Sequence, residues 1–400
     1  DRVPAINPET RVIAEALDEF ASEGVTFRRA YVQGNESFAS HAALFSGQYP
    51  ATTGVHSSAD HLNDGPELIA ELARRAGLTT GGYSSNGHIR DSNGFEQGFQ
   101  TFVNTLRDNY RYKAPGMLSH AQRWVDEHAE ERFYFYLGTV DCHVTYRSHE
   151  DILPLYDSEP YDGLFRQNVS GDELGRIKSG SLSVNARDMI RIEAIYDDTV
   201  TFTDRHFGML MEHLESMGIL DDTLVIVTAD HGDEFWEHGS VGHGHNVYDE
   251  LVHVPLLMRY PGGLPAGVTV EVGVDSVDVI STIADLLGLE PDEGAQGRSL
   301  VPLAYGVGAE YPQPAFSQMA GRRFTMSLAD WKVVWDSSGG RELYNTRTDP
   351  TSQTDVASEN PVALRFISDS MGLFLPFRDE WKKRTWGVAS NLSSGAFVID

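Results

Sequence analysis

The strongest constraint on the fold of this chain is the repeated alternation of amphipathic helices with apolar strands. Residues 10–23 show helical periodicity, and residues 25–32 follow as a strand-like apolar run. Because a buried parallel strand is apolar on both faces, this alternation predicts an α/β fold, with a mostly parallel central sheet covered by helices on both faces. The same order recurs with helices at residues 67–76, 121–128 and 192–217 and strands at residues 79–84, 133–139 and 223–227.

The pattern changes after Gly306 to short alternating segments around a turn at residues 337–340. These segments predict a small antiparallel sheet, with strands at residues 324–327 and 331–335 and a helix at residues 361–374. We therefore divide the chain into an α/β domain, residues 1–306, and a small C-terminal α+β subdomain, residues 307–400. Within the first domain, residues 146–184 are polar and aperiodic, which predicts a long loop that is functional or mobile.

The chain is strongly acidic, with a formal net charge of -28. This charge argues against a nucleic-acid partner, because such proteins need a basic surface. Only five lysines occur, so arginine supplies most of the positive charge. An acid-rich, lysine-poor surface is typical of a protein kept soluble at high salt, and we predict a halophilic source.

High salt should therefore stabilise the folded chain. Added ions screen the repulsion among the surplus carboxylates, so we expect the temperature of thermal unfolding to rise between low and molar salt. Thermal melts at the two salt concentrations measure this, and an unchanged melting temperature would contradict it.

The sequence contains no run of about 20 apolar residues, so no membrane span is predicted. No secretory signal peptide is recognisable, which favours a soluble, cytoplasmic location, although the chain begins at Asp1 rather than Met and an N-terminal segment could have been removed. The single cysteine, Cys142, excludes an intramolecular disulfide bond. The sequence does not indicate an oligomeric state.

Asp230 and His231 follow an apolar run at residues 224–227 that Gly232 ends. Open α/β sheets bind their ligands at the carboxyl ends of the strands, and a carboxylate beside an imidazole can hold a divalent cation. The alternative is a simple turn with solvated histidines, which the number of nearby histidines disfavours. These histidines, which we expect within reach of the same crevice, are His238, His243 and His245.

Three further polar clusters occur at predicted strand ends or helix starts. Residues 35–47 form a hydroxyl-rich loop entering a helix, where a serine either caps the helix or lies beside backbone amides that favour a bound oxyanion. His143 follows the strand at residues 133–137 and is either a proton donor or a structural histidine. Residues 84–88 also follow a strand, but this cluster has low specificity alone.

In this order, the clusters resemble the sulfatases of the alkaline phosphatase superfamily. Residues 230–239 are similar to the family's Asp-His/Asn-Gly-Glu-x-x-x-Glu-His-Gly stretch. Residues 37–41 are similar to the nucleophile motif Cys/Ser-x-Pro/Ala-x-Arg, and residues 46–50 to the Thr-Gly-x-Tyr-Pro that follows it. With further matches at residues 141–146, 218–223 and 343–350, the resemblance covers nearly the whole chain and implies an alkaline phosphatase-like fold.

The resemblance implies hydrolysis of sulfate esters by Ser37, acting as an unmodified hydroxyl or as formylglycine hydrate after enzymatic oxidation. It also implies one divalent cation, calcium most often, with manganese, zinc and magnesium as alternatives. Asp230, His231 and the Ser37 oxygen would be its ligands. The substrate would be a sulfate ester of a small molecule, a glycan or a lipid headgroup.

The same resemblance implies roles for the remaining polar side chains. His143 and His243 would steady the sulfate or protonate the leaving alcohol, as general acids do. Supporting positions or contacts to the substrate are expected for His41, His245, Asn86 and His88.

The chain also departs from the family pattern. His41 stands where the motif has arginine, and none of the five lysines falls in these clusters, whereas sulfatase sites commonly hold two. The family opens with an apolar strand ending in paired aspartates, but here Asp1 and Arg2 lead into a polar segment. We therefore expect the chain as printed to bind metal weakly and to be inactive unless residues preceding Asp1 complete the site.

Two alternatives to a sulfatase remain open. The same superfamily includes phosphodiesterases and phosphonate monoester hydrolases, which use unmodified serine or threonine. An inactive relative that serves as a binding protein is the other alternative, although the retained Asp230, His231, His143 and His243 disfavour it.

Overall fold

The computed structural model describes residues 2–107 and 113–372 of the chain. The strands of these residues are β1 Val25–Phe27, β2 Ala30–Tyr31, β3 Thr79–Ser84, β4 Thr101–Asn104, β5 Phe133–Gly138, β6 Tyr146–Arg147, β7 Asn168–Val169, β8 Val225–Thr228, β9 Glu234–Phe235, β10 Val241–Gly242, β11 His253–Val254, β12 Leu256–Arg259, β13 Val268–Val270, β14 Val274–Asp275, β15 Ala315–Met319, β16 Arg323–Leu328, β17 Trp331–Asp336 and β18 Arg341–Asn345. The helices are α1 Glu15–Ser22, α2 Ser37–Ser46, α3 Pro50–Thr53, α4 Ile69–Arg75, α5 Ala114–His128, α6 Gly171–Lys178, α7 Ala186–Ser216, α8 Asp249–Val252, α9 Asp278–Leu286 and α10 Val301–Ala304.

Two hydrogen-bonded sheets form the centre of the fold. One has the order β4-β3-β5 with all strands parallel, and the other has the order β13-β1-β12-β8, in which β12 runs antiparallel to both neighbours. Helices cover both faces: α4 and α9 pack on one, through Leu72 and Ile280, and α5 and α7 on the other, through Trp124 and Leu214. The predicted α/β class with helices on both faces is confirmed.

The edge strands β5 and β8 have an unusual exposure for the middle of a domain. Every residue of both strands is partly exposed, although the neighbouring β12 is buried throughout and β3 from its second residue onward. Within the described residues, β5 is bonded only to β3 and β8 only to β12. Both strands contribute to the same two apolar cores, Tyr134 and Ile226 to one and Phe135 and Val225 to the other. The two strands therefore present unpaired apolar edges between the same two layers.

Residues 146–184 are more regular than the sequence indicated. They contain the paired strands β6 and β7 and the helix α6. Ser170 and Glu173 form a capping box at the N-terminus of this helix. Tyr146 and Phe165 are buried against α7 in one apolar cluster. The prediction of one long loop is therefore wrong for the parts that form these elements, because two-residue strands and an eight-residue helix are too short to show a clear period.

The C-terminal part contains the antiparallel sheet β15-β16-β17-β18, which confirms the predicted sheet. Its core is continuous with Ala43 of α2 and Val277 beside α9, so this sheet supports the helix that begins at Ser37. Residues 361–372 are helical, and the predicted end at Phe374 lies outside the described residues. The domain boundary at Gly306 stays a prediction. No helix in residues 2–107 and 113–372 is long and apolar enough to cross a membrane.

Candidate active site

Ser37 lies at the first turn of α2, where the chain passes from an extended segment into the helix. Its side chain is buried, and its Oγ accepts a hydrogen bond from Asn86 Nδ2 at 2.8 Å. On its other side, Ser37 Oγ lies 3.3 Å from His231 Nε2. The predicted nucleophile therefore lies between an amide donor and an imidazole, and the cluster at residues 84–88 contributes Asn86 to the site.

Asp230 lies directly after β8, next to Ser37 and His41. Its Oδ2 is 3.4 Å from His41 Nδ1 and 3.8 Å from His231 Nε2. Burial alone would raise the pKa of Asp230, but the two imidazoles outweigh it and hold this pKa well below its usual range. Burial likewise opposes the charged form of His231, yet Asp230 and Asp233 raise its pKa above the ordinary value. The site thus keeps an ionised carboxylate at the carboxyl end of the strand.

His41, the residue in place of the motif arginine, lies beside the Asp230 carboxylate. Its Nδ1 lies 2.8 Å from the Ser37 carbonyl oxygen, and its Nε2 lies 2.8 Å from the Tyr136 hydroxyl. Burial lowers the pKa of His41, while the neighbouring Asp230 opposes this shift. Each ring nitrogen of His41 therefore already has a partner, the Ser37 carbonyl or the Tyr136 hydroxyl. A supporting role for His41 in the reaction remains our prediction.

His143, His231 and His243 form a cluster next to Ser37, which His231 contacts. Their ring centroids are 4.2 Å apart for His231 and His243, 5.0 Å for His143 and His243, and 6.2 Å for His143 and His231. Burial, together with His243 and His231, lowers the pKa of His143. The structure therefore brings the two histidines predicted to act on the substrate next to the predicted metal ligand.

Three residues that sequence reasoning did not assign hold His243 in place. Asp233 Oδ1 accepts from His243 Nδ1 at 2.7 Å, and its Oδ2 accepts from the Tyr146 hydroxyl at 2.8 Å. Lys178, at the end of α6, donates to the His243 carbonyl oxygen at 2.8 Å. Lys178 lies outside the sequence clusters, in residues 146–184, so no sequence motif indicated that it reaches the site.

The other predicted histidines lie elsewhere. His245 Nε2 is 2.6 Å from Glu234 Oε2, within a buried network that also includes Asn246. His238 lies 2.7 Å from Glu250 and stacks on Tyr248, so the expectation that it reaches the same crevice is wrong. His88 is exposed on the turn after Asn86. Contacts of His245 and His88 with a substrate remain predictions.

The donor set around Ser37 fits part of a divalent metal site. Asp230 offers an ionised oxygen, His231 an imidazole nitrogen and Ser37 a hydroxyl, which are donors that calcium, manganese and zinc accept in different proportions. A hard cation such as calcium takes about six to eight oxygen ligands. These residues therefore supply only part of a coordination shell, and the rest must come from water, substrate or further chain.

Comparisons with known proteins find two family models that match this chain. A family model described as "Sulfatase" matches residues 5–289, and one described as "N-sulphoglucosamine sulphohydrolase, C-terminal" matches residues 237–364. The chain is 31% identical to arylsulfatase K of Danio rerio over 182 residues, 42% of this chain and 34% of that protein. It is 26% identical to N-acetylglucosamine-6-O-sulfatase of Bacteroides thetaiotaomicron over 218 residues, 51% of this chain and 38% of that protein.

The fold is similar to that of solved structures over nearly its full length. The phosphonate monoester hydrolase of Agrobacterium radiobacter superimposes with a TM-score of 0.78 and 21% identity, covering 95% of this chain and 93% of that one. By contrast, this chain's matches to the two curated relatives span only about a third of their lengths.

Proposed function

This chain belongs to the sulfatase family of the alkaline phosphatase-like superfamily, and from that membership we propose that it hydrolyses sulfuric esters with Ser37 as the nucleophile. The observation that carries the proposal is the position of Ser37 Oγ between Asn86 Nδ2 and His231 Nε2, beside the ionised Asp230. A hydroxyl needs a proton acceptor within hydrogen-bond reach to act as a nucleophile, and the carboxylate of Asp230 accepts a hydrogen bond from Ser37.

In the proposed reaction, the Ser37 hydroxyl gives its proton to the Asp230 carboxylate, and Ser37 Oγ attacks the sulfur atom. The bond between sulfur and the alcohol oxygen breaks, and the leaving alcohol takes a proton from His243 or His143. Water then attacks the sulfur of the Ser37 sulfate ester and returns a proton to the histidine that protonated the alcohol. The bond between sulfur and Ser37 Oγ breaks, sulfate leaves, and Asp230 gives its proton back to Oγ. Asn86, which donates to Ser37 Oγ, fixes its direction during both steps.

A divalent cation would be held by Asp230, His231 and Ser37. When bound, it supplies Lewis-acid stabilisation of the negative charge on the sulfuryl oxygens. Calcium is our first choice, with manganese, zinc and magnesium as alternatives. The mixed oxygen and nitrogen donors suit manganese and zinc as well.

We further propose that the metal site is completed by a strand inserted between β5 and β8. The support is the pair of unpaired, partly exposed apolar edges that these strands present between two shared cores. A parallel strand there would end beside Asp230, where the resemblance places the paired aspartates of the family's first strand. Calcium affinity should then rise when a chain carrying that strand is compared with this one.

Hydrolysis of model esters tests the proposed function. We expect 4-nitrophenyl sulfate to be cleaved faster than 4-nitrophenyl phosphate, in molar salt with calcium, manganese or zinc added in turn. Faster cleavage of the phosphate, or of a phosphodiester, would favour the phosphodiesterase or phosphonate hydrolase alternative. If neither is cleaved even with the added strand, the inactive binding protein is the correct reading.

The chemical state of Ser37 needs a separate measurement. Mass spectrometry of the peptide containing Ser37 distinguishes serine from formylglycine, because the oxidation removes two hydrogen atoms. We expect unmodified serine, since His41 replaces the arginine of the maturation motif. As substrate we propose a sulfated small molecule or glycan.

A further inference from the structure

The three clustered imidazoles, His143, His231 and His243, offer a nitrogen-only site in addition to the roles that the proposed hydrolysis gives each of them. One ring nitrogen of each lies within 4.8 Å of the others. Among the described residues, this is the group of three or more histidine, cysteine or acidic side chains whose ligand atoms approach closely enough to share one ion. Its donors are all imidazoles, unlike the mixed donors of Asp230, His231 and Ser37.

Hydrogen bonds fix which nitrogen each ring can offer. The Nδ1 atoms lie 2.7 Å from the Val144 carbonyl oxygen for His143, 2.9 Å from the Gly232 carbonyl oxygen for His231, and 2.7 Å from Asp233 Oδ1 for His243. These oxygens can only accept, so each Nδ1 carries the proton and donates. When each ring is neutral, its lone pair is then on Nε2, and the three Nε2 atoms can bind one cation together.

We propose that His143, His231 and His243 bind a zinc ion through their Nε2 atoms. Zinc favours three or four nitrogen or sulfur ligands, and histidines that bind it almost always donate their other nitrogen to a carbonyl or carboxylate, as these three do. Calcium prefers oxygen and would not compete here. Nitrogens around one zinc lie about 3.3 Å apart, so small rotations of the three rings close the site.

This site shares His231 with the proposed catalytic cation and uses both histidines assigned to the substrate. Zinc bound here would occupy the space of the sulfuryl group, so occupancy by zinc and by a sulfate ester would exclude each other. The inference does not depend on the proposed hydrolysis, because zinc binding is measurable whether or not the chain turns over a substrate.

Calorimetric titration of the full chain with zinc chloride at pH 8, after chelator treatment and dialysis, tests the proposal. We expect one tight zinc site in the unaltered chain, and a loss of affinity of at least about 100-fold in His143→Ala and in His243→Ala. His88→Ala is the matched control, because this exposed histidine lies on the neighbouring turn and should leave the affinity unchanged.

A second variant separates the site from a general effect on folding. Asp233→Asn keeps all three imidazoles but weakens the carboxylate that fixes the His243 ring, so zinc affinity should fall about 10-fold to 100-fold. Calcium affinity should be unchanged in His143→Ala, since Asp230 remains. Zinc affinity that stays the same in His143→Ala, His243→Ala and Asp233→Asn would overturn the proposal, as would an equal loss in His88→Ala.

Discussion

In a chain that carries the strand proposed to complete the metal site, replacing Ser37 by alanine is expected to lower the turnover number for 4-nitrophenyl sulfate by at least about a thousandfold. Ser37 Oγ is the atom that Asn86 and His231 both contact, so its removal leaves the proposed reaction without a nucleophile. The fold should survive, because alanine fits the first turn of α2 and removes only one hydroxyl. Steady-state kinetics and a thermal melt together measure the two effects.

Ser46→Ala provides the control for this prediction. Ser46 lies at the other end of α2 and, like Ser37, is buried, but its Oγ donates to the Ala42 carbonyl oxygen within the helix. Loss of that bond should cost about 1 kcal/mol of stability and leave the turnover number within a few-fold of the unaltered chain. Equal activity of Ser37→Ala and Ser46→Ala would show that Ser37 is not the nucleophile.

The second large effect is expected from Asp230→Asn, which should weaken calcium or manganese binding by about 100-fold or more and reduce turnover with it. Asp230 is the ionised carboxylate of the partial metal site, and His41 and His231 hold its pKa far below neutrality. Asparagine keeps the shape but removes the charge that attracts the cation. Calorimetric titration with the metal measures the change in affinity, and steady-state kinetics measures the change in turnover.

Asp126→Asn is the comparison for Asp230. Asp126 is exposed on α5, where it pairs with His213. Neither residue is a proposed metal ligand. It loses one negative charge as Asp230→Asn does, so it reports the effect of net charge alone. If both variants lose metal affinity equally, the general acidity of the chain, and not Asp230, attracts the cation.

Local sequence patterns located the strands and the residues at their ends. The strand at Thr79–Ser84 has the predicted bounds, between Gly77 at the end of the preceding helix and the polar residues 85–88. Ser37, Asn86, His143 and Asp230 each lie at a strand or helix end, and parallel topology brings such ends to one edge of a sheet. This part of the site was therefore predictable from order and spacing.

Contacts that depend on the three-dimensional path of irregular segments were not predictable. Lys178 reaches His243 across 65 residues, and Tyr146 reaches Asp233 across 87. His238 illustrates the opposite error, since it is near His243 in sequence but its ring turns to Glu250 and the Ser352 carbonyl oxygen. The groups that surround a side chain depend on how distant segments pack, and a short motif does not encode that packing.

The separation in sequence of the groups around Ser37 also affects how the site forms during folding. His231 approaches Ser37 across 194 residues, and Asn86 approaches it across 49. Closing such long loops is entropically costly and slow, so these contacts form after the local helices and hairpins. Recovered activity would thus mark the completion of refolding, whereas helical circular dichroism would recover earlier.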